Sequence, residues 1–155
     1  MTESKNTYNF CFVRHPYTWW PSFWYWSKRD RFSAKEKECP DFDTWIQEYG
    51  PFWMGHYSNY LARYIGEDPA YPTDIKMHFI GKVENLFVDL EKALKNAGEE
   101  VDPLNYWFYV KNIHREPNLF KGKNRQEYNR QISDKSKKII YNTEKYVFDR
   151  FGYTP

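Results

Sequence analysis

One short segment constrains the fold more than any other. Tyr8 to Val13 (YNFCFV) is apolar, is bounded by polar residues and stops at Arg14. A run of that length fits a β-strand covered on both faces, as parallel strands of α/β proteins are. His15-Pro16 then breaks the strand, because proline fixes its own φ and restricts the residue before it. Tyr17 to about Lys28 reads as a helix, with Pro21 tolerated in its first turn. This order sets Arg14 at the carboxyl end of the strand, the edge where open α/β sheets bind ligands. Ser22 follows eight residues after Arg14. A guanidinium fork, a hydroxyl and the unpaired backbone N–H groups of a helix start can converge there on one phosphate, with no need of a metal.

The rest of the chain alternates in the same manner. Asp41 to Ile65 has helical character, divided by Gly50-Pro51 into Phe42–Tyr49 and Phe52–Ile65. Pro69 and Pro72 mark a connector, and Ile75 to Ile80 (IKMHFI) reads as a second strand ended by Gly81. The clearest helix follows: Val83, Leu86, Phe87, Leu90, Leu94 and Ala97 recur at three- and four-residue spacing, and Gly98 is placed to terminate it. Asp102 to Gln131 has no strong period and reads as a long loop with short helical turns. Ser133 can cap a last helix through about Arg150, with Ile140, Val147 and Phe151 on its buried stripe. Two strands among helices imply an α/β fold, a partial parallel sheet flanked by helices. Two parallel strands alone leave long edges, so further strands are expected from an upstream segment, from a partner chain or second copy, or from the regions read as loop.

Charge is balanced overall at +2, which does not suggest a general nucleic-acid binder. It is unevenly spread, however: Lys111 to Lys145 holds ten Lys or Arg against four acids, which suits either a compact polyanionic ligand or a solvated helix face. Aromatic residues make up 21% of the chain, enough that Trp19, Trp20, Trp24, Trp53 and Tyr57 either wall a cleft or fill the core. Cys11 and Cys39 form no disulfide framework, no apolar run spans a bilayer and no signal-peptide pattern opens the chain, so a soluble, cytoplasmic protein is expected. His78 and His114 lack partners with metal-ligand spacing.

The stretch R-H-P-Y-T-W-W-P-S from Arg14 to Ser22 resembles the sulfotransferase motif of a strand, an Arg, a Pro two residues on and a Ser eight residues after the Arg. A second stretch, Phe79-Ile80-Gly81-Lys82-Val83-Glu84-Asn85-Leu86, is similar to that family's strand followed by G-x-x-E-x-L and a helix. The tail from Tyr146 to Tyr153 resembles its closing Y-x-x-D-x-x-x-F-G-Y pattern. The resemblance implies a P-loop-like α/β domain in which Arg14 and Ser22 bind the 3′-phosphate of 3′-phosphoadenosine 5′-phosphosulfate (PAPS) and Pro16 shapes the turn. Trp19 stands where many members carry a second Arg. Lys121-Gly122-Lys123 falls where cytosolic members carry a basic loop that contacts the same phosphate. Glu84, near the start of a helix, is expected to favour the helix dipole, and the tail to pack.

Members also carry, ahead of the Arg-containing strand, a P-loop-like strand, loop and helix for the 5′-phosphosulfate. Only nine residues precede Phe10, so the expectation is an incomplete domain without that element. The activity implied is sulfuryl transfer from PAPS to a hydroxyl or amine acceptor, carbohydrate or small molecule. The alternative is a non-catalytic half-domain that binds a partner chain or a nucleotide 3′-phosphate. His56 is the candidate general base, since an imidazole titrates near neutrality. A nucleotide kinase of the P-loop type lacks its G-x-x-x-x-G-K-[ST] signature here.

Overall fold

Two four-residue strands, β1 (Phe10–Val13) and β2 (Phe79–Lys82), lie side by side in parallel, with Phe10 opposite Phe79 and Val13 opposite Lys82. The structure is a computed structural model that describes residues 7–53, 55–71, 76–100 and 132–155. Around the strands stand seven helices among the described residues: α1 (Pro16–Asp30), α2 (Ala34–Glu38), α3 (Phe42–Glu48), α4 (His56–Ile65), α5 (Leu86–Asn96), α6 (Asp134–Thr143) and α7 (Lys145–Phe151). The architecture is mixed α/β, mostly helical, with a small parallel sheet. Among the described residues no helix is long and apolar enough to cross a membrane.

Several boundaries differ from the sequence reading, each for a local reason. Gly81 does not end the second strand but sits inside it, buried opposite Phe12. A Cβ at Gly81 would stand 2.7 Å from the Phe12 ring and 2.8 Å from Asp89 Cβ, so this glycine lets α5 close onto the sheet. Pro21 lies in the second turn of α1, not the first, and is buried there. The helix expected from Phe52 onward begins only at His56, after a 3₁₀ turn (Gly50–Trp53) and Gly55 at φ 66°. Likewise the segment after β2 starts with a 3₁₀ turn (Val83–Asn85) before α5, which ends, as its pattern predicts, ahead of Gly98 at φ 82°.

The last helix is two helices. Ser133 caps α6 as expected, its hydroxyl accepting from the Ser136 amide. The chain then leaves helical geometry at Glu144, φ −113° and ψ 24°, and resumes as α7. Glu144, one of the four acids counted between Lys111 and Lys145, is fully buried. Its carboxylate accepts from Trp20 Nε1 (3.2 Å), the Tyr57 amide (3.3 Å), the Ser58 amide (2.7 Å) and the Ser58 hydroxyl. Because Gly55 offers no side chain to cap α4, the orphan amides of its first turn are satisfied from a distant element.

Packing follows from this join. Trp20, Trp24, Phe32, Trp45, Ile46, Ile140 and Phe148 form one buried cluster, and Val13, Tyr57, Leu61, Ile65 and Val147 form a second beside the sheet. Trp20, Trp24 and Tyr57 are therefore core residues, whereas Trp19 and Trp53 remain partly exposed at its margin.

Burial holds the Glu144 carboxyl above its ordinary value of 4.5, outweighing the hydrogen bonds that lower it. Glu144→Ala orphans four buried donors and is expected to destabilise the fold by about 4 kcal/mol in chemical denaturation, with Glu144→Gln losing less than half of that. The folded chain keeps this proton to a higher pH than the unfolded chain does. The contribution is thus complete below about pH 4.5 and declines as pH rises through the folded value. Glu144→Gln should lack that slope.

Candidate functional site

At the carboxyl end of β1 the backbone is fixed from two directions before any side chain reaches out. The Tyr57 hydroxyl accepts from the Arg14 amide (2.8 Å) and donates to the Arg14 carbonyl (2.9 Å), tying the turn to α4. Burial pushes this hydroxyl's pKa far up, so it keeps the proton it donates. On the other flank, Glu84 Oε1 accepts from the His15 amide at 2.7 Å and Oε2 from the Tyr153 hydroxyl at 3.0 Å. His15 Nε2 lies 3.2 Å from the Thr154 carbonyl, so the closing segment packs on the same turn. That tail does pack; Glu84, which stands in the first helical turn after β2 as expected, also bridges two other elements.

From this turn the Arg14 side chain runs along the first helix. Its Nε donates to Thr18 Oγ1 at 3.0 Å, and the Thr18 hydroxyl donates to the His15 carbonyl at 3.0 Å. Among the described residues the two terminal guanidinium nitrogens have no hydrogen bond and no ion pair, which leaves the planar fork able to take an anion in bidentate fashion. Ser22, half-buried, lies one turn beyond Thr18 on the same face of α1, about 6 Å further along the axis. Thr18 and Ser22 thus share one face of α1, and Arg14, ahead of the helix, reaches that face through Thr18. Thr18 escaped the sequence reading, although its four-residue spacing from both neighbours was a usable signal.

The backbone donors expected at the helix start are not available. Pro16 has no N–H, Tyr17 N–H goes to His15 Nδ1 (3.2 Å), and the Thr18 and Trp19 amides both go to the His15 carbonyl (2.9 Å). With the His15 amide held by Glu84, an anion at this edge meets side chains instead of a helix terminus. Trp19, at the position of a second Arg in the resembled motif, stacks on Tyr57 (centroids 4.3 Å apart) and on Phe23 (4.9 Å). It is a wall.

The chain matches no family model, no curated protein and no solved structure. What the site can do therefore rests on its own chemistry.

His56, the first residue of α4, lies among the rings of Trp19 (6.2 Å between centroids), Phe23 (5.1 Å) and Trp53 (5.3 Å). It borders a pocket of about 250 Å³ with Phe52, Asn59 and Arg63. Its connection to the Arg14 turn runs through Trp19 and the adjacent Tyr57; no hydrogen bond joins it to Arg14 or Ser22. A larger cavity, about 660 Å³, opens at the opposite end of β1 beside Tyr8, Tyr60 and Tyr64. Among the described residues no group of three or more His, Cys, Asp or Glu is gathered to hold a metal ion. Lys121, Gly122 and Lys123 lie outside the described residues.

Partial burial among the rings lowers the His56 pKa from its ordinary value, and the positive charge of Arg31 lowers it further. The imidazole is then neutral at pH 7 and able to accept a proton. In a proton NMR titration its midpoint is expected below 6.5 and to rise toward that value in Trp53→Ala, which admits water to the ring.

Proposed function

We propose that this chain forms the 3′-phosphate end of a PAPS-dependent sulfotransferase site, transferring a sulfuryl group to a hydroxyl or amine acceptor. The observation that carries the reading is Arg14. Its guanidinium leaves the carboxyl end of a parallel strand, is steered by Thr18 toward the face that bears Ser22, and has no carboxylate partner among the described residues. A phosphate dianion between the two matches the fork in charge and geometry and can accept the Ser22 hydroxyl proton.

In that reading the acceptor oxygen or nitrogen attacks sulfur and forms a new bond to it, while the bond from sulfur to the 5′-phosphate oxygen breaks. 3′-Phosphoadenosine 5′-phosphate (PAP) leaves with the electron pair. The acceptor proton passes to His56, which is neutral and borders an aromatic pocket of a size for a ring or short chain. The described residues contain no P-loop-like element for the 5′-phosphosulfate, so the reading gives them the anchoring of the donor's other phosphate. The resemblance adds Lys121 and Lys123, which lie outside the described residues, to that anchor.

Titration of PAP into the protein tests this directly. Arg14→Ala is expected to weaken binding by about 10- to 100-fold and Ser22→Ala by about 3- to 10-fold, the range for hydrogen bonds to a charged group and to a hydroxyl. Equal affinity of the wild type and Arg14→Ala would refute the proposal.

A second reading is favoured by the sheet. Among the described residues the sheet has two strands of four residues, too few for an independent sheet, and a partner chain or a second copy that adds a strand would complete it. Light scattering on the purified protein is expected to return the mass of a dimer or larger species if a second copy does so. A monomer that neither enlarges with concentration nor loses solubility argues against it.

A further inference from the structure

Glu84 and Tyr153 come from the two ends of the second half of the chain and meet at the turn that carries Arg14. Resting on the donor reading above, we infer that they form a clasp that fixes the Arg14 guanidinium for the 3′-phosphate, and that they are positioning residues for donor binding.

The argument begins with the number of fixed points. An arginine side chain has several rotatable bonds, so an anion gains most from it when the backbone beneath is already held. Three residues, Val13, Arg14 and His15, make the turn. Tyr57 takes both backbone groups of Arg14. The Glu84 carboxylate takes the His15 amide, and the Tyr153 hydroxyl reaches both Glu84 (3.0 Å) and the Val13 carbonyl (3.3 Å). All three residues are therefore pinned by side chains from α4, the 3₁₀ turn after β2, and the segment after α7.

Charge makes the arrangement more than a fastening. A carboxylate beside an anion site opposes anion binding, yet here both Glu84 oxygens are committed to donors on the turn and on Tyr153. Lys82 stands 4.5 Å from the centre of the Tyr153 ring, placing a positive charge over the same group. The His15 ring packs at 4.8 Å from that of Tyr153 and accepts from the Tyr17 amide, so the clasp also orients the residue whose carbonyl holds Thr18. A path of direct contacts thus runs from Glu84 through His15 and Thr18 to Arg14 Nε.

The clasp can be tested in two arms on the full chain. In the first, without ligand, hydrogen exchange of the His15 amide is expected to quicken about tenfold or more in Glu84→Ala and to stay near the wild-type rate in Glu84→Gln, whose carbonyl oxygen still accepts. In the second, affinities for PAP and for adenosine 5′-monophosphate, which lacks the 3′-phosphate, are compared by ligand-observed NMR. Glu84→Ala and Tyr153→Phe should weaken PAP by about fivefold or more while leaving the monophosphate within about twofold, and Glu84→Gln should restore PAP binding. A wild type that binds PAP with variants equal to it overturns the inference alone, as does an equal loss of both nucleotides. A wild type that binds no PAP overturns the donor reading and the role given to the clasp together; unchanged exchange at His15 overturns the clasp itself.

Discussion

Among the described residues the buried Glu144 carboxylate ties together elements that lie far apart in the chain. It interrupts the final helical segment, caps α4 through the Tyr57 and Ser58 amides, and takes the indole N–H of Trp20 from α1. Three helical elements are thereby registered on one point. A buried acceptor surrounded by donors is costly to leave unmatched, so the rotation and axial position of α4 are set within narrow limits. Tyr57 then follows: its amide is held by Glu144, and its hydroxyl reaches back to both backbone groups of Arg14.

That chain of contacts explains how a fold with so small a sheet keeps a well-defined edge. The strands contribute four residues each; the buried cluster beside them is mostly aliphatic, and the one next to it is largely aromatic. Trp19 lies almost parallel to both Tyr57 and Phe23, at 11° and 9°, forming a layered wall between α1 and α4. Rings of this size bury much apolar area with few torsions to freeze, which suits a core built on short helices. The same wall surrounds His56 and lowers its pKa, so one packing feature serves both stability and the candidate chemistry.

Electrostatically the site differs from a helix-terminus anion site. Every amide at the start of α1 is committed locally, to His15 or to Glu84. The positive potential that remains comes from a side chain, Arg14, and its direction depends on Thr18. In the proposed donor site, discrimination would come from the shape of the guanidinium fork, which suits the planar, bidentate recognition of a phosphate or a sulfate.

Local order was legible in the sequence because it depends on neighbours. The strand ending at Arg14, the proline break, the Ser133 cap and the Gly98 stop all follow from bond geometry and helical period within a few residues. The parallel pairing of the two strands also followed, since both are apolar and separated by helices. What the periodicity hid were the places where a distant group replaces a local one. Gly81 resembled a stop and is a close approach; Glu144 was one acid in a basic segment and is the buried cap; Glu84 and Tyr153 sit 69 residues apart and share a hydrogen bond. Tyr57 lies 43 residues from the arginine it holds. Residue types and spacings thus determined which side chains stand at the strand's end. Only the tertiary structure decided which of them are held, buried or left open to a ligand, because partners so far apart in the chain meet only after the helices have packed.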